Sequence, residues 1–372
     1  MSRRRGPRLA AGLLALGLAL GAAAAPPARA CAFDAWLPPL TLVDRLFDAD
    51  AVALAAADPE DPSRWRLLAA PAAVSATPYA PDPAGFLAAG ADSAPPDLDA
   101  DEAVLFAHDP LDDVWRRLEV VDRVTRPAVE AILAAARGWE HPLDPARFEM
   151  AAAMLGERDL RLRRLALREL DRAPYPVLRG LDLPLGADAL AESLKDPAAG
   201  QMEPILALLL GLAGGPRAEA LVEGRLNAVG ADGAVSPALG AWAVALVELQ
   251  GEAGVETLAA RFLRADPEAR SPQDLFPFVE ALAVQAEDAS PALRAAIVRT
   301  LDATLQARPD LVGVVARSFG SRGDYALGPA VQAALAQRRA LPALEAMTAA
   351  GYVFAARKAA DPDGGAAAWT PD

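Results

Sequence analysis

Two histidines and one cysteine are all that this 372-residue chain offers to nucleophilic or metal chemistry besides its carboxylates. A Ser-His-Asp or Cys-His arrangement needs His108 or His141 beside Cys31 or a marked serine, and no serine stands in a recognisable nucleophile motif. His108 closes an apolar run before Asp109-Pro110 and His141 precedes Pro142, so both read as surface loop residues. Zinc needs several Cys or His ligands at short spacing, which two distant histidines and one cysteine cannot supply. The alternating acids Asp97, Asp99, Asp101 and Glu102 resemble the first half of a calcium loop. Glu102, however, stands where such a loop turns on glycine and His108 where its bidentate glutamate belongs, so the stretch reads as a solvated acidic loop. No glycine-rich phosphate loop follows a strand. The sequence thus marks no catalytic, cofactor-binding or metal-ligating residue. An enzyme would have to use the N-terminal part of the chain, through His108 or the acidic loop 97–102.

The amino end has the layout of an export signal. Arg3, Arg4, Arg5 and Arg8 form a basic region, residues 9–25 are apolar, and Ala28 and Ala30 are the small residues a signal peptidase requires. The apolar run is short for a membrane span, and Pro26-Pro27 ends a helix there. Residues 1–30 therefore read as a signal peptide, with Cys31 the first mature residue. A cysteine at that place is a candidate lipid anchor, although Ala28 replaces the branched aliphatic that the lipoprotein pattern prefers. The expected location is periplasmic or extracellular, and no membrane span is expected in the mature chain.

Removing residues 1–30 takes away five arginines and no acid, so the formal charge goes from −14 to −19. Such a chain repels phosphate backbones, which disfavours nucleic acid as a partner. A lone cysteine excludes an internal disulfide.

These residues must be positioned by elements of two textures. In residues 31–125 short apolar runs, at 51–57, 65–74, 103–107 and 115–121, alternate with turn clusters such as Asp58-Pro59 and Asp109-Pro110. That pattern predicts a small antiparallel β module of four or five strands, preceded by a helix over 40–47. From Pro127 to about residue 358 the periodicity is helical, and residues 359–372 read as a disordered tail. Within the helical part, Phe148, Ala152 and Leu155 share one face of a first helix, and Leu162, Leu165, Ala166 and Leu170 share one face of a second. Prolines 204, 237, 272 and 309 mark later helix starts at spacings of 33, 35 and 37 residues. A period of this size is what stacked two-helix repeats give. Trp242, mid-helix, reads as core.

Residues 154–170 resemble a HEAT-type repeat: Met154-Leu155 as the apolar end of a first helix, Asp159 as the turn acid, Leu162-Arg163 as the Val-Arg equivalent, then an Ala-rich second helix. The usual proline after the acid is Leu160 here, and the later pairs keep the period without the Asp/Arg signature. The layout as a whole is similar to uncharacterised exported bacterial proteins with a small β module before helical repeats. The resemblance implies a mainly α, α+β chain: a HEAT-like α-solenoid over residues 126–358 behind the β module. It also implies a structural role for Asp159 and Arg163, bridging turns between repeats.

The expected function is that of an exported protein-binding scaffold or adaptor that uses the groove of the helical stack. Two alternatives stand beside it. One is an enzyme with its site in the N-terminal module; the other is a structural lipoprotein tethered to the envelope through Cys31.

Overall fold

Strand β4 (Ala103–Asp109) shows why the amino-terminal part folds as it does. Its side chains alternate between two faces, and both faces are apolar. Ala103, Leu105 and Ala107 point into one cluster with Leu42, Val43 and Leu46, while Val104 and Phe106 point into another with Trp65 and Phe86. The computed structural model describes residues 33, 38–62, 64–68, 72–73, 86, 98–99, 101–232, 238–264, 270–337 and 341–361. Ala28, Ala30, Cys31, Asp97 and the Ser236-Pro237 helix start lie outside these residues, as do residues 362–372.

The sheet is antiparallel in the order β2-β1-β4-β5, with β1 at Ala51–Ala57, β2 at Trp65–Leu67 and β5 at Val114–Val121. A short β3 (Ala72–Ala73) pairs with Ala51 and Val52, on the same edge of β1 that β2 occupies further along. Helix α1 (Leu42–Phe47) precedes the sheet and opens on a capping box, Thr41 accepting from the Asp44 amide and Asp44 from the Thr41 amide. The expected helix, strands and antiparallel pairing are all present.

The sheet and the helices share a core. Helix α2 (Arg126–Ala136) starts at Thr125-Arg126-Pro127 and buries Val129 and Ile132 with the sheet residues, and Leu165 of α4 joins the same cluster. Helices α3 (Pro145–Leu155) and α4 (Leu160–Leu170) are the pair read from the sequence. Phe148, Ala152, Leu155, Leu165, Ala166 and Leu170 are buried as expected, whereas Leu162 is only half-buried. The short helices α5 (Tyr175–Gly180) and α6 (Ala187–Ser193) follow.

Among the described residues, nine further helices follow: α7 (Glu203–Ala213), α8 (Pro216–Asp232), α9 (Leu239–Gln250), α10 (Glu252–Leu258), α11 (Pro272–Ala286), α12 (Pro291–Ala307), α13 (Val312–Gly320), α14 (Gly328–Ala336) and α15 (Ala343–Ala360). Helix α10 continues as a π-turn over Ala259–Leu263. The odd-numbered helices pack side by side, α7 on α9, α9 on α11, α11 on α13 and α13 on α15. The even-numbered ones pack on one another where α8 meets α6, α12 meets α10 and α14 meets α12. In α9 every residue from Leu239 to Val247 is buried, Trp242 included. The even-numbered helices are amphipathic instead: Ile297, Leu301 and Leu305 of α12 are buried on one stripe. Helices α7 and α9 approach closely at Gly211, where an added Cβ would lie 2.8 Å from the Ala245 Cα. Among the described residues, no helix is long and apolar enough to cross a membrane.

Candidate functional site

Among the described residues, helix α4 carries a dense run of basic side chains in an otherwise acidic chain. Arg161, Arg163, Arg164 and Arg168 lie within eight positions of sequence, Leu-Arg-Leu-Arg-Arg-Leu-Ala-Leu-Arg-Glu-Leu. Three of the four are committed to acids. Arg161 pairs with Asp122 and with Asp159, Arg164 Nη2 lies 2.7 Å from Asp196 Oδ2, and Arg168 Nη1 lies 4.0 Å from Glu119 Oε2. Arg163 differs. Its Nε donates to the Glu157 carbonyl at 2.5 Å, and among the described residues it has no carboxylate partner.

Asp159 caps α4, its Oδ1 accepting from the Arg161 amide at 2.8 Å. The hydrogen bond from the Arg161 side chain, helped by that amide, brings the Asp159 carboxyl down to about 2. Asp159 and Arg163 thus both close the α3–α4 turn, through separate partners: Asp159 through Arg161 and Arg163 through the Glu157 carbonyl.

Arg163 opens onto a cleft of about 630 Å³ between α4 and α6. Leu160, Leu167, Ala189, Met202 and Leu206 give it an apolar floor, and its rim carries Arg163, Arg164 and Lys195 opposite Glu192 and Asp196. Arg164–Asp196 spans it, while Lys195 Nζ is held by Glu192 Oε2 at 2.6 Å. Leu160, at 56% exposure, is the large apolar side chain of α4 left in water. Ser193 donates to the Ala189 carbonyl at 3.0 Å, so its hydroxyl is engaged by its own helix. The arrangement can hold an anionic or amphipathic group.

His108 is where the structure departs most from the sequence reading. It is buried at 3% exposure on β4, not in a surface loop. Its Nδ1 lies 2.8 Å from Asp50 Oδ1 and its Nε2 3.1 Å from Asp113 Oδ1. Asp113 reaches it because the β4–β5 turn places that residue at φ 54°, in the left-handed region. Nearby is a cleft of about 250 Å³ that His108 lines with Arg116 and Leu118. His141 is exposed, with Nδ1 accepting from the Leu143 amide. Of the acidic loop, Glu102 folds back to accept from the Asp99 amide at 2.9 Å. Among the described residues no group of three His, Cys, Asp or Glu side chains could hold a metal ion.

Two buried polar clusters are missed by the sequence reading. In the first, Arg147 of α3, at 1% exposure, donates to Glu169 of α4 and to Asp44 and Thr41 of α1. Burial penalises the Asp44 carboxylate, but the charge of Arg147 and the Thr41 amide prevail and hold its pKa below the usual range. Glu169 goes the other way, because deeper burial outweighs Arg147 and raises it. In the second, Tyr175 and Arg179 of α5 reach Glu248 of α9 at 2.7 and 2.6 Å, and Gln285 of α11 closes the ring. Burial, with Glu248 alongside, drives the Tyr175 hydroxyl far upward. The one sequence signal for the first cluster is the Thr41-x-x-Asp44 capping box; Arg147 and Glu169 look like ordinary surface charges of a helix.

No family model, curated protein or solved structure matches the chain.

Proposed function

We propose that the chain is an exported scaffold whose paired helices form a HEAT-like α-solenoid, and that it acts by holding a protein partner along that stack. One observation carries this reading: helices α7, α9, α11, α13 and α15 lie side by side in chain order, with α10, α12 and α14 packed in order beside them. Successive units that meet mainly their neighbours are the hallmark of repeat architectures, which bind through extended surfaces. The basic segment, apolar run and Ala28/Ala30 pair support export to the periplasm or beyond. Fold alone does not dictate function, so the test is on the partner. The mature chain, immobilised and exposed to an envelope extract, should retain one protein stoichiometrically, and charge reversal on the exposed faces of α10 and α12 should release it. Retention unaffected by those changes would contradict the reading.

A second reading, an enzyme in the N-terminal module, is favoured by one geometry: a buried histidine oriented by Asp50 beside a cleft. It predicts a hydrolytic or transfer activity lost in His108→Ala with the fold retained.

A further inference from the structure

We propose that the cleft between α4 and α6 binds a small amphipathic anion, a carboxylate carried on an aliphatic body, with Arg163 receiving the head group. Its volume of about 630 Å³ lies within the range of small-molecule sites. The charges on its rim are three cations and two acids, and both acids are already paired, Asp196 with Arg164 and Glu192 with Lys195. The guanidinium left over is that of Arg163, whose Nε is fixed by the Glu157 carbonyl. A side chain steadied through Nε presents its two Nη groups as a fork, the geometry that carboxylates accept in pairs. One uncommitted cation selects a monoanion.

The floor determines the rest of the ligand. Leu160 stands 56% exposed at the cleft, while Leu167, Met202 and Leu206 are buried beneath. An aliphatic body laid on Leu160 removes that side chain from water, which is favourable in proportion to the area covered. The mature chain's formal charge of −19 repels small hydrophilic anions at long range. Acetate or inorganic phosphate, which offer charge without apolar area, should therefore not bind, and an amphiphile should.

The experiment is calorimetric titration of the mature protein with dodecanoate, dodecyl phosphate, dodecanol and acetate, below their micellar concentrations. The expected result is saturable one-to-one binding of dodecanoate, no binding of acetate, and about ten-fold or greater weakening in Arg163→Gln, the loss expected when a charge-assisted fork is removed. Arg163→Lys, which keeps the charge and loses the fork, should fall between the two. Leu160→Gln should weaken dodecanoate while leaving the fold intact, since that side chain is already largely in water. Dodecyl phosphate binding as tightly as dodecanoate would assign the head-group preference to phosphate esters and overturn the carboxylate part. Equal binding of dodecanol, or dodecanoate binding unchanged in Arg163→Gln, would overturn the site, as would no saturable binding at all. The scaffold reading stands or falls separately: dodecanoate binding without a captured protein keeps this site and removes the scaffold, and the reverse result does the opposite.

Discussion

Arg147 and Asp44, 103 positions apart in the chain, meet with Nη1 2.9 Å from Oδ1, both nearly excluded from solvent. The contact fastens helix α1, ahead of the sheet, to the first long helix pair. Glu169 completes it, accepting from Arg147, from the Thr41 hydroxyl and from the Val43 amide. Replacing Arg147 by methionine leaves Glu169 buried without its cation, while Asp44 keeps Arg172, whose Nε lies 2.8 Å from its Oδ2. The expected cost is about 3–5 kcal/mol, the usual result of removing one side of a buried ion pair. Urea unfolding measures it, and a loss below about 1 kcal/mol, typical of an exposed pair, would show that the cluster is open to water.

Acid should unfold the protein through the carboxylates held low. Asp44, Asp122, Asp159 and Glu248 all have lowered folded-state values, so their stabilisation is complete above their ordinary values of 3.8 to 4.5. It is lost as pH falls through the lowered values, about 2 for Asp159. Asp122 and Asp159 sit half-buried at the surface, where solvent screens them, and contribute less than Asp44 and Glu248. Glu169, raised by burial, runs in the opposite sense and recovers stability as it protonates. Thermal melts should therefore hold steady from neutral pH down to about 4.5 and drop steeply below about 4. A fall centred near pH 6 would point to a histidine instead.

Tyr175→Phe tests the second cluster. The change removes the donor to Glu248 and an acceptor for Gln285, both at positions where water is scarce. A loss of about 1–2 kcal/mol in chemical denaturation is expected, that of a buried hydrogen bond to a charged group. No loss would mean that Arg179 and Gln285 satisfy Glu248 unaided.

Much of this architecture is legible in the sequence, and the illegible part has a common cause. The run 51–57 and its paired runs read correctly because strand periodicity and Asp-Pro turns are local signals. The stripe Ile297, Leu301, Leu305 reads correctly because helical spacing is local as well. His108 is misread as a loop residue because its hydrogen-bond partner Asp50 lies just before another strand, 58 positions away. Arg147 and Glu169 look solvated because the element that covers them, α1, arrives from more than a hundred positions away. The α4–α6 cleft is hidden for the same reason, since neither Leu160 nor Arg163 shows in sequence what stands opposite. Asp159 is visible as a cap, and its partner Arg161 is not, because either neighbouring arginine could serve.

Close approach of α7 and α9 makes Gly211→Ala an overpacking test. The new methyl would lie 2.8 Å from the Ala245 Cα, which is backbone and cannot swing aside. The helices must separate, at about 1–3 kcal/mol. A neutral effect on unfolding would show that the two helices lie further apart.

Export is tested by the mass of the purified chain from its native envelope. The expected amino terminus is Cys31; a lipid mass on that cysteine would favour the tethered form, and an intact Met1 would remove the export reading.

The stack itself is tested most directly by native-state hydrogen exchange on Phe319→Ala. Phe319 is fully buried in α13, and its truncation should cost about 3–5 kcal/mol locally. If successive helix pairs are stabilised by their neighbours, protection falls in α11, α13, α14 and α15 while α3 to α7 keep theirs. An equal loss of protection from α3 to α15 would describe one indivisible globule and would contradict the stacked-repeat account.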